Sequence, residues 1–286
     1  MPFFSIIIPT YNSAICLQKA IDSITSQTFS DYEIVFVDGV SKDNTIPLIE
    51  EAKRSHPGKI NYISEPDKGI YDAMNKSIPL AKAEWVYFIG SDDRLYSPDV
   101  LENIYREIQK EPIDLIYGNV TAESSHKHYV YNTDSIVLSH GIHHQSVFYR
   151  RTVFDTVGNY DPFFKVSADY LLTLKIFCDP KFKTKYVNHE IACFGEGGLS
   201  SRTFDYTLLS YHYKFLAQHN ALSRIEDPDK CLDTSIYCSY YIIKEKKNVA
   251  FACKNLLYYV FAPNPLGFTS RLKTFLRMLR WTFKSQ

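Results

Sequence analysis

The sequence predicts an α/β fold, a mostly parallel sheet flanked by helices and followed by a helical C-terminal extension. Three observations carry that prediction. Short β-branched runs alternate with helix-period segments through the first 120 residues, the pattern of a parallel sheet covered on both faces. The segments that leave the strands are polar and turn-forming, and most of them bear acids. From about Thr121 the alternation breaks, and beyond Thr203 the patterning is wholly helical.

The first strand is "FFSIII", Phe3 to Ile8. Asn12 and Ser13 can cap a helix in which Ile15, Leu17, Ala20, Ile21 and Ile24 recur at helical spacing. "YEIVFV" (Tyr32 to Val37) is the second strand and "NTIPLIEEAKRS" the second helix. "INYIS" (Ile60 to Ser64) and "YDAMNKSIPLA" repeat the unit, and "WVYFI" (Trp85 to Ile89) gives a fourth strand. "SPDVLENIYREIQK" has a Ser cap and Pro in the first turn, so it starts a helix. "DLIYG" (Asp114 to Gly118) is a fifth strand. After it come a polar hairpin or loop (Thr121 to Ser135), a strand in "HQSVFYRR", a helix in "VSADYLLTLKIFC", and a strand, turn and Gly-rich loop in "KTKYVNHEIACFGEGGLSS".

Composition excludes several classes. The formal net charge is +0, which gives no bulk signal for nucleic acid. The scattered cysteines Cys16, Cys178, Cys193, Cys231, Cys238 and Cys253 contain no C-x-x-C pair, so they read as reduced core residues of a cytoplasmic protein. "MPFFSIIIPTYN" lacks the basic start of a signal peptide, and no window is apolar for long enough to span a bilayer.

In open α/β sheets ligands bind beyond the carboxyl ends of the strands. There the sequence places "PTYN" at Pro9, "DGVSKDNT" at Asp38, "EPDKG" at Glu65 and "GSDD" at Gly90. A single acidic exit is an ordinary turn; three of them with a polar fourth on one edge point to a site. The adjacent Asp92 and Asp93 repel each other, and Ser91-Asp92-Asp93 on its own also reads as a turn or helix cap. Asp43 in "SKDNT" reads as a helix cap or Asx-turn.

"SIIIPTYN", "VDGVSKDNT", "EPDKGIYDAMNKSI", "FIGSDD", "HHQSVFYRR" and "SADYLLTLKI" occur in that order. Over roughly Pro2 to Arg202 the chain resembles the family-2 glycosyltransferases of the GT-A (Rossmann-like) fold, of the bacterial surface-polysaccharide type. The resemblance implies residues 1–203 as a nucleotide-sugar-binding and catalytic domain, with 204–286 as a helical region. It implies a Mn²⁺ or Mg²⁺ site, with Asp93 as direct ligand and Asp92 as partner to the ribose or the metal. Asp38 would hydrogen-bond uracil, and Pro9 with Tyr11 would line the base pocket. Relatives often read Asp-Asp-Gly-Ser where this chain has Asp38-Gly39-Val40-Ser41, so the loop is expected to differ. Lys68 can meet phosphate or sugar, or simply be solvated; Asp72 and Asn75 reach the donor or fix their helix. Asp169 matches the family's general base, His144 a hydrogen-bonding residue of the site, and Arg202 a clamp on the diphosphate or part of an ordinary connection. The histidines between His126 and His144 match no zinc spacing.

The implied activity is inverting transfer of a sugar from a nucleotide donor, a UDP-sugar, to a hydroxyl of a lipid-linked oligosaccharide. Retention would want a second carboxylate, for which Glu65 and Asp67 are the available candidates. A sugar nucleotidyltransferase is the first rival, but "PTYNSAICLQ" has no Gly to build its phosphate loop. The second is a non-catalytic binding module, which would have lost some of the acids. The tail from Thr269 to Gln286 carries Arg271, Lys273, Arg277, Arg280 and Lys284 with no acid, and Leu272, Phe275, Leu276, Leu279 and Phe283 share a helical face. Such a helix lies on an anionic membrane surface or docks on its own core. The first alternative makes the chain peripheral at the inner face of the cell membrane. Aromatics in the last part of the chain allow a homodimer.

Overall fold

The computed structural model describes residues 1–198 and 203–261, together with 272, 273 and 276. Arg202 and most of the basic tail therefore lie outside the described residues. These fall in two compact units, Met1–Asn132 with Gly141–Arg202, and Thr133–His140 with Thr203–Gln286.

In the first unit, β1 (Phe4–Thr10), β2 (Tyr32–Asp38), β3 (Ile60–Ser64) and β4 (Trp85–Phe88) alternate with α1 (Leu17–Thr25), α2 (Thr45–Ser55) and α3 (Ile70–Ser77). Next come β5 (Arg94–Leu95), α4 (Val100–Ile108), β6 (Leu115–Ala122) and β7 (His128–Tyr129). The chain then passes through the short helix α5 (Asp134–His140) and returns as β8 (Val147–Arg150), α6 (Thr152–Val157), α7 (Ala168–Cys178) and β9 (Thr184–Phe194). The sheet order is β3-β2-β1-β4-β8-β6-β9-β5, with β7 paired to the far end of β6. Six strands (β1 to β4, β6 and β9) run one way, while β5, β7 and β8 run against them.

Sequence explains why the sheet forms. β1 and β2 are buried at every position, as continuous apolar runs covered on both faces should be. Leu17, Ala20, Ile21 and Ile24 of α1 and Val100, Leu101, Ile104 and Ile108 of α4 are buried at helical spacing. All of these but Ala20 join Phe4, Ile6, Ile8, Ile34, Phe36, Trp85 and Tyr87 in one core.

Two features of this topology build a site. The strand order places β2 on one side of β1 and β4 on the other, opening a crevice between the exits of β1 and β4. Because β8 runs antiparallel to β4, its entry lies at the same edge as the exits of β1 to β4. The turn before β8, the 3-10 segment His144–Ser146, is thereby carried to that edge.

The second unit contains α5 with α8 (Tyr206–Gln218), α9 (Pro228–Lys244) and α10 (Val249–Phe261). The sequence pattern divides the chain at 203/204, whereas α5 groups with the C-terminal helices. The reason is local: Leu138 O is 2.7 Å from His212 Nε2, and Arg224 pairs with Asp134 at 2.7 Å. Among the described residues, no helix is long and apolar enough to cross a membrane.

Candidate active site

The exit loops of β1 and β2 are latched together. Asn12 N–H donates to Ser41 Oγ and Lys42 N–H donates to Asn12 Oδ1, both at 2.8 Å, while Ser13 N–H donates to Thr45 Oγ1 at 2.7 Å. Asn12 (φ 50°) and Val40 (φ 64°) both occupy the left-handed region. Asn tolerates it, but for a β-branched residue it is an outlier. Val40 stands where Asp-Asp-Gly-Ser sequences carry Gly, so this loop keeps the backbone geometry without the residue that suits it best. Asp43 forms the expected Asx-turn, accepting from Thr45 N–H at 3.0 Å, and also from Ala14 N–H at 3.0 Å.

Asp38 is wholly buried at the end of β2. Its Oδ1 accepts from Thr10 Oγ1 (3.1 Å) and Ser41 Oγ (2.5 Å), and its Oδ2 from Ser41 N–H (2.9 Å) and Ser64 Oγ (2.7 Å). Burial alone would raise its pKa, but the bonds from Ser41, Ser64 and Thr10 outweigh burial and lower it. A carboxylate offers about four acceptor positions, and all four are taken. Its carboxylate ties the exits of β1, β2 and β3 together. Pro9 is likewise buried in β1, opposite Val37, and not open to a ligand. β4 pairs with β1 only as far as Ile7, so the missing N–H interrupts no ladder there.

The open groups at this end are Tyr11 and Asp67. Tyr11 is 65% exposed. A methyl group at Gly39 would lie 2.5 Å from Asp67 Oδ2 and 3.2 Å from Tyr11 Cδ2. The bare backbone of Gly39 is therefore the surface on which both side chains rest. Asp67 Oδ1 accepts from Gly69 N–H at 2.8 Å, which holds the loop before α3.

Two further expectations resolve into local ties. Asn75 is bound at both ends to the Tyr160 backbone, donating to its carbonyl (2.8 Å) and accepting from its N–H (2.9 Å). Asp72 accepts from Lys68 N–H at 3.0 Å and pairs with Lys76 at 3.5 Å. Both fix α3 and its entry. The Lys68 side chain is exposed and makes no ion pair among the described residues.

At the tip of β4 the two adjacent acids separate. Asp93 is 3% exposed. It accepts from Gly90 N–H (3.0 Å), Gln145 Nε2 (2.7 Å) and Gly195 N–H (2.8 Å). Burial and then the neighbouring Asp92 raise its pKa, against the opposing effects of His144, Gln145 and Gly195. Asp92 is exposed, and its carboxylate lies against two glycines: a methyl group at Gly195 would come 2.8 Å from its Oδ2. Asp92 is thus the exposed member of the pair, and Asp93 is the buried one, bracing the loop beneath it. Ser91 Oγ is 2.9 Å from Ser13 Oγ, which joins the exits of β4 and β1.

His144 and Gln145, adjacent in the 3-10 turn, connect this tip to Asp169. Gln145 holds Asp93, and His144 Nδ1 is 3.6 Å from Asp169 Oδ2, an ion-pair distance. Burial would lower the His144 pKa, but Asp169 beside it, with Asp93 and Asp92, outweighs burial and raises it. His144 Nε2 and Gln145 Oε1 are buried without a hydrogen-bond partner among the described residues. Asp169 lies in the first turn of α7, and its Oδ1 is 2.8 Å from Tyr71 Oη and accepts from Tyr170 N–H at 2.9 Å. His143 is not part of this set: it packs against Phe194 with centroids 4.4 Å apart and bonds Tyr131. Sequence reasoning gave no separate role to Ser41, Ser64, Tyr71 or Gly195, although Ser41 lies inside "VDGVSKDNT", Tyr71 inside "DKGIYDAMNKSI" and Gly195 at the start of the Gly-rich loop.

No group of three or more His, Cys, Asp or Glu side chains able to hold a metal occurs among the described residues. The arrangement fits instead a hard cation that takes one or two protein carboxylates and completes its shell with substrate oxygens.

Residues 5–168 match the pattern of Glycosyl transferase family 2. A PGL/p-HBAD biosynthesis glycosyltransferase of Mycobacterium tuberculosis (strain ATCC 25177 / H37Ra) is 38% identical over 208 residues, which is 71% of this chain and 81% of that protein. A glycosyltransferase of Rickettsia typhi, itself uncharacterized, is 30% identical over 206 residues, 66% of this chain and 62% of its own. Among solved structures, S. aureus TarS in complex with UDP-GlcNAc superposes with a TM-score of 0.65 at 16% identity, over 97% of this chain and 79% of that one. A mannosyltransferase from Pyrobaculum calidifontis, in complex with GDP-Man and Mn²⁺, does so with a TM-score of 0.56 at 17% identity, over 96% and 84%. With the crevice at the β1 and β4 exits and the acids gathered there, these likenesses lead to one conclusion: the chain belongs to the family-2 glycosyltransferases and has their GT-A fold.

Proposed function

We propose that this glycosyltransferase moves a sugar from a UDP-sugar to a hydroxyl of a lipid-linked oligosaccharide in surface polysaccharide biosynthesis, inverting the anomeric centre. The observation that carries the reading is the turn at His144–Gln145. Its adjacent side chains hold acids of two different elements, the β4 tip through Asp93 and the α7 start through Asp169. One acid end serves the donor and the other the acceptor.

Asp92 and the Ser91 hydroxyl beside it are the groups that would hold Mg²⁺ or Mn²⁺ together with diphosphate oxygens. When bound, that ion supplies positive charge to the leaving diphosphate. Tyr11 stacks on the base, and the open Oδ2 of Asp67 accepts from its imide N–H, which favours uracil over adenine. Lys68 is exposed and would meet the phosphates; the family resemblance adds Arg202 as a clamp on them. Asp169 Oδ2 takes the proton of the acceptor hydroxyl as that oxygen attacks C1 from the face opposite the leaving phosphate, a contribution of about 10²- to 10⁴-fold in rate. A single displacement inverts, and the second carboxylate that retention requires is not at hand. Glu65 is paired with Lys76 at 3.0 Å, and Asp67 is assigned to the base.

The basic tail and the exposed Leu257 and Phe261 of α10 support attachment to an anionic membrane, where a lipid-linked acceptor would be met. Cytoplasmic residence and a homodimer fit the same reading.

The first experiment is thermal unfolding with UDP, GDP, dTDP or CMP, each with Mn²⁺ or with EDTA. Ligand at about 100 times its Kd adds roughly 2.7 kcal/mol. A shift with UDP that depends on Mn²⁺ is expected. If no nucleotide shifts the transition with metal present, the donor site is wrongly assigned.

A further inference from the structure

Tyr71 follows Gly69, whose φ of 120° only glycine accepts readily, by two residues at the start of α3. That turn brings the phenol into the protein: Tyr71 is 8% exposed, and its ring lies against Tyr160 at 5.5 Å between centroids. The hydroxyl sits 2.6 Å from Val166 O and 2.8 Å from Asp169 Oδ1. It therefore touches both the loop that leads into α7 and the first acid of that helix. Tyr170 N–H also donates to Oδ1, so this oxygen is committed on two sides. The other oxygen, Oδ2, faces His144 Nδ1 at 3.6 Å, an ion-pair distance. A carboxylate flips easily about its terminal torsion, and here that torsion is pinned.

We propose that Tyr71 is a positioning residue for the transfer: by holding Oδ1 of Asp169 and the Val166 carbonyl, it fixes Oδ2 as the atom that receives the acceptor's proton. The inference rests on Asp169 being the base. It also links the two halves of the reaction, because Tyr71 and Lys68 belong to the same turn into α3. The chain segment that borders the donor end thus sets the geometry of the base. A base displaced by about 1 Å loses on the order of 100-fold in rate.

The test is a double-mutant cycle of Tyr71→Phe and Asp169→Asn, with UDP release from UDP-glucose or UDP-N-acetylglucosamine as the activity, in the presence of Mn²⁺ and with water as acceptor. Phe keeps the ring on Tyr160, and the melting temperature and UDP affinity of each variant are measured alongside. The expected result is a fall in kcat of about 10- to 100-fold for Tyr71→Phe, with the donor KM, UDP affinity and melting temperature close to wild type. In the Asp169→Asn background the same change should cost nothing further, because Tyr71 acts through that carboxylate. Wild-type kcat in Tyr71→Phe, with Asp169→Asn inactive, overturns the positioning role and leaves the base assignment standing. An equal loss in both backgrounds also overturns it, since Tyr71 would then act independently of Asp169. Full activity in Asp169→Asn removes the base assignment itself and the inference with it.

Discussion

Asp92 and Asp93 are neighbours in sequence and opposites in environment, and that difference decides what each can do. Asp93 is spent on three N–H donors from Gly90, Gln145 and Gly195. Asp92 is exposed beside Gly90 and Gly195. Asp92→Asn should fold like the wild type and lose the Mn²⁺-dependent part of any nucleotide shift. Asp93→Asn should unfold more easily, because its amide nitrogen turns a donor toward donors; leaving one such buried group unsatisfied costs about 1 to 3 kcal/mol. Urea unfolding and nucleotide-dependent melting of the two variants, run side by side, check this. A destabilised Asp92→Asn with a normal Asp93→Asn would reverse the assignment.

At the scale of elements, the parallel part of the sheet was legible because each strand and helix states itself locally. β1 to β4 and α1 to α4 follow from the apolar period, although the expected caps do not form: α1 starts at Leu17 after Cys16, leaving Ile15 outside it and exposed, and α4 starts at Val100 after Asp99, with no side-chain cap bond on either. The insertion of β8 between β4 and β6 was not legible, because pairing partners distant in sequence leave no local pattern. That insertion brings His144 and Gln145 to the site edge, so half of the candidate site could be named by family resemblance while no local pattern placed it there. The different burial of Asp92 and Asp93 escaped for a related reason: burial of one residue in a turn depends on Gln145 and Gly195, which flank β8 and β9. The β6–β9 pairing carries a similar hidden constraint. Its register slips around Gly118, where a methyl group would lie 2.5 Å from the His189 carbonyl oxygen and 2.8 Å from Ile191 Cγ1. The first of these is backbone and cannot step aside. Gly118→Ala is expected to destabilise the fold by about 1 to 3 kcal/mol, seen as a lower urea midpoint at unchanged slope. An unchanged midpoint would mean that the two strands can separate locally at no cost.

At the scale of the whole molecule, buried imidazoles set how stability responds to acid. Burial lowers the pKa of His143 to about 4 and that of His212 to about 4. One lies in each compact unit. Each stays neutral inside the fold: His212 places Nε2 2.7 Å from Leu138 O and Nδ1 3.6 Å from Cys231 Sγ, contacts that an uncharged ring with its proton on Nε2 satisfies. For a base with a lowered pKa in the fold, the unfolded chain takes up the proton first. The stabilisation is therefore complete above the unfolded pKa near 6.5 and is lost as pH falls toward 4. The shift corresponds to about 3 kcal/mol for each ring at full linkage. His144 has the opposite sign: its raised pKa contributes stability below pH 6.5 that disappears as pH rises through the folded value. The lowered carboxyls Asp38, Asp43 and Glu123 lose their contribution as pH falls through the unfolded carboxyl range near 4. Asp93, whose raised pKa makes the fold more stable as it takes up its proton, opposes the two histidines; between 6.5 and 4 the two rings set the direction. Unfolding free energy from urea titrations should therefore drop steeply between pH 6.5 and 4. NMR titration should find the His143 and His212 rings neutral until about pH 4. A flat profile across that window, with either ring titrating near 6.5, would mean that these side chains open to water far more readily than their packing implies.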